Sequence, residues 1–266
     1  MNRIENTPFD TLLVERHGAV LVVALNRPER LNAYDRHMVR ELRAVWTAFR
    51  TDDELHVAVI TASGARSFTT GMDVEDTLSA EVASPSLDAA GRVAITPRDL
   101  GVTKPVIVAV NGFCCAGAWH FVNDADVVLC SDTATFFDTH VNVGLSNPVE
   151  AVGLLSRLPR GEVLRMVLSG RDYRLSAQRA YDLGLVSEIT TPETLRSRAL
   201  EIAQTIAQHP VAVLQTSIET IWTTILEERA SAEAFGLAML AQSDFSSDAR
   251  SGSLVAFRTG RDGTAS

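Results

Sequence analysis

Two histidines stand in settings that suit proton transfer. His120 lies in NGFCCAGAWHFVN (111–123), three positions after Gly117, and His140 lies in FFDTHVNVG (136–144). Imidazole titrates near neutrality, so one ring accepting a proton from water while the other donates one is a workable acid–base pair. The bland alternative is two ordinary histidines beside a tight turn. As metal ligands they find no third partner at useful spacing, so no metal is expected. The small-residue run Ala116-Gly117-Ala118 suits a backbone that approaches a ligand closely.

Two stretches must position these groups, and they share a logic. VAVITASGARSFTTGMDV (57–74) and KPVIVAVNGFCCAGAWHF (104–121) each read as a buried strand, a loop with a small residue, then a helix start. The first turn of a helix has N–H groups without intrahelical partners. Two such turns facing each other can donate two hydrogen bonds to one oxygen and stabilise it as an anion. The competing reading is two tight strand-to-helix connections with no ligand between them.

Elsewhere, TLLVERHGAVLVVALN (11–26) reads as a hairpin about His17-Gly18. Residues 35–50 place Met38, Leu42, Val45, Trp46 and Phe49 on one helical face, which makes Trp46 core. Residues 126–132 and 134–137 read as strands and 185–190 as an extended piece. Helices are expected over 148–158, 161–169, 176–183, 193–208 and 211–227. Residues 79–101 lack apolar periodicity and read as mobile or loosely held, and the tail RTGRDGTAS as frayed. The sum is an α/β core (1–190) followed by a C-terminal helical region (191–266).

The chain has 266 residues, 46% of them apolar, which supports a large core. Its net charge of -9 argues against nucleic acid and against a membrane surface as partners. Cys114, Cys115 and Cys130 have no zinc-ligand spacing and read as reduced, buried small residues of a cytoplasmic protein. MNRIENTPFD carries no apolar run, so no leader peptide is expected, and no stretch is long and apolar enough to span a membrane.

LNRPERLNAYD (25–35), SFTTGMDV (67–74), KPVIVAVNGFCCAGAWHF (104–121) and LSAQRAYDLGLVSEI (175–189), with the ending DARSGSLVAFRTGR (248–261), together resemble the enoyl-CoA hydratase/isomerase, or crotonase, superfamily. The resemblance implies a spiral of ββα units with two roughly perpendicular sheets. It implies a helical C-terminal region that forms homotrimers, often paired into hexamers. It also implies a coenzyme A thioester as substrate, with no separate cofactor, whose carbonyl oxygen lies between two backbone N–H groups. The family motifs fall so that Met72 and Gly117 supply those N–H groups, with Thr70, Gly71 and Asp73 in the same substrate loop. Asp73 reads as a helix-capping residue rather than a base. Arg27 and Arg30 lie where the family binds the nucleotide, so one is expected on a phosphate unless both sit on a solvated turn. Trp119 and Phe137 flank the histidines and narrow the acyl pocket, or else pack in the core. Asp126 reads as a structural anchor.

The departures bear on the reaction. Two of three family glycines are Ala116 and Ala118, which tightens the pocket. The family's two acid/base glutamates fall on His120 and His140, and Glu150 and Asp138 are the only nearby carboxylates to substitute. A helix dipole at His120 would favour a neutral base, whereas His140 on a loop is easier to protonate. The expected function is an enoyl-CoA hydratase-like lyase. The alternatives are a hydrolase that cleaves carbon–carbon bonds of β-diketones with a histidine base, or an acyl-CoA binding protein without turnover. Isomerisation is disfavoured because it generally uses one well-placed carboxylate.

Overall fold

The computed structural model describes residue 4, residues 7–73 and residues 93–242. β1 (Leu12–His17) and β2 (Val20–Leu25) form the expected antiparallel hairpin, with Leu12 opposite Leu25 and His17 opposite Val20. Three units then repeat one plan. β3 (Val57–Ala62), β5 (Val106–Val110) and β7 (Val127–Ser131) enter a large sheet, and each is followed by a short strand that leaves for a second sheet. Those short strands are β4 (Ser67–Thr69), β6 (Phe113–Cys115) and β8 (Thr135–Phe137). With β9 (Leu175–Ser176) and β10 (Glu188–Thr190), the orders are β1-β2-β3-β5-β7-β10 and β4-β6-β8-β9. This is the mixed α/β spiral expected of the ββα repeat.

Alternation along the strands splits the core across the large sheet. Leu21, Val23, Leu25, Ile60 and Val108 face α1 (Arg36–Thr51), which buries Met38, Leu42, Val45, Trp46 and Phe49. The Asp35 carboxylate accepts from Met38 N at 2.8 Å and caps this helix. The opposite face, with Val20, Val22, Val59, Ile107 and Leu129, is covered by Leu195, Ala199 and Ala203 of α6 (Pro192–Ala207). Thus both faces are buried, and for that reason the strands read as unbroken apolar runs.

Between β6 and β7 lies a 3-10 turn, Ala116–Ala118, that runs straight into α2 (Trp119–Asp124). Past β8 come α3 (Glu150–Leu154), α4 (Arg160–Ser169) and α5 (Ala177–Asp182); after α6 comes α7 (Val211–Gln242). α7 extends well beyond the expected residue 227 and is moored by three long-range contacts. Gln215 Nε2 donates to Thr103 Oγ1 (3.0 Å), Trp222 Nε1 to Asp126 Oδ1 (2.7 Å) and Arg229 Nη1 to Asp124 Oδ1 (2.7 Å). Asp126 also accepts from Arg98 and from Val106 N, so it is the expected anchor.

Two expectations need correction. The described part of the 79–101 segment is held firmly, not loosely. Val93, Ala94 and Ile95 are buried, Trp46 Nε1 donates to Ile95 O at 2.8 Å, and Asp99 accepts from Ile95 N and Thr96 N. The loop between β5 and α2 contains an unforeseen strand, β6, because its three residues serve the second sheet. Residues 79–92, the ending at 248–261 and the tail lie outside the described residues. Among the described residues no helix is long and apolar enough to cross a membrane. All three cysteines are free and buried.

Candidate active site

The site forms where β4 and β6 end. Gly71 (φ +86) and Gly117 lie against each other, and a Cβ on Gly71 would stand 2.6 Å from Gly117 N. A Cβ on Gly117 would in turn stand 3.2 Å from Gly71 Cα. Both positions therefore require glycine, one for its left-handed backbone and both for the close approach. Met72 follows Gly71 and is paired as an isolated parallel bridge with Tyr34, where Tyr34 N donates to Gly71 O and Asp73 N to Tyr34 O, each at 2.9 Å. Gly117 occupies the first turn of the helical stretch, where N–H groups lack intrahelical partners. Ala116 stands in the left-handed region at φ +51, a conformation a glycine would adopt without strain.

The two histidines come together around a carboxylate. His120, second residue of α2, directs Nε2 to Glu150 Oε1 at 3.3 Å. His140 directs Nε2 to the same oxygen at 3.7 Å and Nδ1 to Asp138 Oδ1 at 2.8 Å. Asp138 is fully buried and also accepts from Asn147 Nδ2 at 3.0 Å. The Asn147 side-chain oxygen receives Ala151 N, which ties the start of α3 to the same network. Asn123 of α2 donates to Glu150 O at 2.9 Å, and a Cβ on Gly153 would press within 2.7 Å of Asn123 Cγ. So α3 is docked tightly on α2, and this docking sets Glu150 opposite His120.

Electrostatics follow from that packing. Burial works against charge on Glu150, yet His120 and then His140 overcome it and hold the carboxyl down at about 2. Burial likewise opposes an imidazolium at His140, but Glu150 and then Asp138 lift it to about 9. His120 is also raised: burial is outweighed by Glu150, with Asp99 and Asp124 behind it. Against the helix dipole, which favours a neutral His120, stands the Glu150 carboxylate at contact, which favours the imidazolium. A carboxylate beside Nε2 of His120 favours the proton there and leaves Nδ1 with the lone pair. At His140 the Asp138 carboxylate favours a proton on Nδ1, while Nε2 faces Glu150.

Other expected site residues fall elsewhere. Arg27 is spent internally: it donates to Ala33 O and Asp73 Oδ2 (3.1 Å) and pairs with Asp35 (3.2 Å). Asp73 is thereby an ion-pair partner of Arg27. Arg30 closes an exposed 3-10 turn, Pro28–Arg30. Thr70 is half-buried beside Gly71. Trp119 belongs to the core, fully buried, with Nε1 donating to Phe137 O at 3.0 Å. Phe137 is clasped between the Phe113 ring at 6.0 Å and the Arg174 guanidinium at 4.2 Å. For these two aromatics packing prevails over a pocket wall, since α2 and β8 turn them into the space between the elements. Asn147 was not legible, although an Asn before a Pro ahead of a helical run is a usable capping signal.

A spiral of ββα units thus brings two apposed backbone turns and a buried histidine–carboxylate cluster into one chain. The chain matches the enoyl-CoA hydratase/isomerase family over residues 15–263, belongs to that family and is an enzyme of the lyase type. It is 33% identical to the carnitinyl-CoA dehydratase of Proteus mirabilis over 205 residues, 76% of this chain and 77% of that protein. It is 30% identical to the carnitinyl-CoA dehydratase of Escherichia coli K12 over 220 residues, 82% of each. Among solved structures, an enoyl-CoA hydratase/isomerase from Mycobacterium paratuberculosis shares 34% identity with TM-score 0.74, covering 89% of this chain and 92% of that one. An enoyl-CoA hydratase/isomerase from Pseudoalteromonas atlantica shares 26% with TM-score 0.82, covering 94% and 98%.

Proposed function

We propose that the protein hydrates and dehydrates an acyl-CoA thioester with histidines in place of glutamates. The observation that carries this is the single Glu150 oxygen beside both rings, 3.3 Å from His120 Nε2 and 3.7 Å from His140 Nε2. In hydration, a water oxygen bonds to Cβ of an enoyl thioester and its proton passes to His120 Nδ1. The double-bond electrons move to the thioester oxygen, where the Met72 and Gly117 N–H groups hold the enolate. His140 Nε2 then delivers its proton to Cα. The enolate charge lives only between the two proton transfers, Glu150 stays ionised beside both rings, and passage of a proton from His120 back to His140 through solvent resets the pair for the next turnover. Dehydration runs the same steps backward.

The chain takes coenzyme A only as part of its substrate and needs no further cofactor in this reading. It works as a homotrimer or hexamer in the cytoplasm. Exposed Val213, Ile221, Leu226, Phe235 and Met239 on α7 support the assembly. A second reading, carbon–carbon cleavage of a β-diketone, is favoured by one feature: each imidazole is backed by a carboxylate, an arrangement that activates water toward a ketone. A binding protein without turnover has no use for such pairs.

The test is turnover of crotonyl-CoA, carnitinyl-CoA and a cyclic β-diketone by the parent, His120→Ala and His140→Ala. Thioester turnover that collapses in both variants supports the proposal. Cleavage of the diketone with inert thioesters replaces it with the second reading.

A further inference from the structure

The Tyr34 ring is buried to 2% exposure, yet its hydroxyl keeps solvent contact and meets no hydrogen-bond partner among the described residues. It lies against Gly117 on the side where a Cβ would project, so Tyr34 and a side chain at 117 cannot coexist. The same residue's backbone pins the other half of the site, through Tyr34 N to Gly71 O and Asp73 N to Tyr34 O at 2.9 Å. One residue thus touches both turns that present N–H groups. A Phe would fill the same space without presenting a polar atom to the turn. The hydroxyl, open to solvent beside the Gly117 turn, is free of internal bonds among the described residues and so available to a ligand.

From this juxtaposition we infer that the Tyr34 hydroxyl is a third hydrogen-bond donor to the substrate carbonyl oxygen, alongside Met72 N–H and Gly117 N–H. The inference rests on the carbonyl-polarising site proposed above. Burial, and after it the Glu150 and Asp99 carboxylates, hold the phenol well above its usual range, so it stays protonated and able to donate at every working pH. Unlike an N–H, a phenol O–H swings about its C–O bond. It can follow the oxygen as the carbonyl becomes an enolate, strengthening most in the transition state. Tyr34 would also exclude substrates bulky beside the carbonyl, because its ring occupies that flank of Gly117.

The experiment compares parent, Tyr34→Phe and His140→Ala on crotonyl-CoA and a cyclic β-diketone. It also records the absorption red shift of a bound aryl-enone thioester, which reports carbonyl polarisation. Tyr34→Phe is expected to lower kcat by about 10²-fold, leave KM within about 3-fold and shrink the red shift. His140→Ala is expected to lose kcat and keep the red shift. Should Tyr34→Phe fold poorly, difluorotyrosine can replace the three tyrosines. Of the others, Tyr173 bonds Glu162 and Tyr181 is surface-exposed. The more acidic phenol should deepen the red shift. An unaltered kcat and red shift in Tyr34→Phe, or an unaltered red shift with difluorotyrosine, overturns the inference alone. A parent that neither turns over nor polarises either probe overturns the carbonyl-site reading, and this inference with it.

Discussion

Gly71 and Gly117 touch back to back across two β-strand ends, and a Cβ on Gly71 would stand 2.6 Å from Gly117 N. Such a separation is below what real Cβ atoms tolerate. Gly71→Ala must also hold φ near +86, which L residues avoid. The variant should lose roughly 10²-fold or more in kcat, because one of the two N–H groups is displaced. Since the site is local, far-ultraviolet circular dichroism should remain close to the parent. Full activity in Gly71→Ala would show that these turns do not bind the carbonyl.

Glu150 sets the pH window. His140 is lifted to about 9 from 6.5, so the stability its charge contributes is complete below about 6.5 and is lost as pH rises through about 9. If His140 must be charged to donate its proton, kcat/KM falls over the same upper range. Glu150→Gln removes the strongest support for that charge. Its alkaline limb should move toward the ordinary histidine range, and its melting temperature should become flatter between pH 6.5 and 9. A pH–rate profile with an unmoved limb would remove Glu150 from this role.

Asp124 and Arg229 form a buried pair at 2.7 Å, extended by Glu233 at 2.6 Å and by the Thr96 hydroxyl at 2.6 Å. Arg229→Met strands a buried carboxylate on the helix that carries His120. A loss of roughly 3–5 kcal/mol in denaturant-unfolding stability is expected. The double variant with Asp124→Asn should recover part of that loss, because the desolvation cost leaves with the charges. If the double variant is no more stable than Arg229→Met, the pair is not the source.

Ala116 occupies φ +51, so replacing it with glycine relieves backbone strain in the folded state. The unfolded chain gains entropy against it, and the net should lie between about zero and about 1 kcal/mol of added stability. KM for a bulkier acyl chain should fall as the turn widens, measured across a chain-length series. A destabilisation above about 1 kcal/mol would mean that the Ala116 methyl packs usefully.

The hairpin, α1 and the buried parallel strands were legible because burial on two faces leaves unbroken apolar runs and one helical face leaves its period. The three-residue strands β4 and β6 were not, since segments that short carry no period, whereas β8 fell within the expected strand 134–137. His120 and His140 were legible by position, and their charge state was not. Glu150 stands ten residues beyond His140 and reaches the pair only because Asn123 and Gly153 let α3 dock on α2. Nothing in the sequence singled out Tyr34. Only the absence of a side chain at Gly117 reveals what its hydroxyl faces. Trp119 and Phe137 left two readings open because adjacency in sequence to a histidine says nothing of which way α2 and β8 turn their side chains.

The apposed turns at Gly71 and Gly117 come from successive repeats of the spiral, at matching points where the backbone leaves the small sheet after β4 and after β6. The histidines and their carboxylates hang from other elements: α2, the turn after β8, and α3. In the proposed mechanism carbonyl activation is thus a property of the scaffold's seam, whereas proton handling is a detachable accessory. Evolution can exchange the accessory one side chain at a time while the seam stays intact, and a lineage can change its chemistry without rebuilding its electrophile.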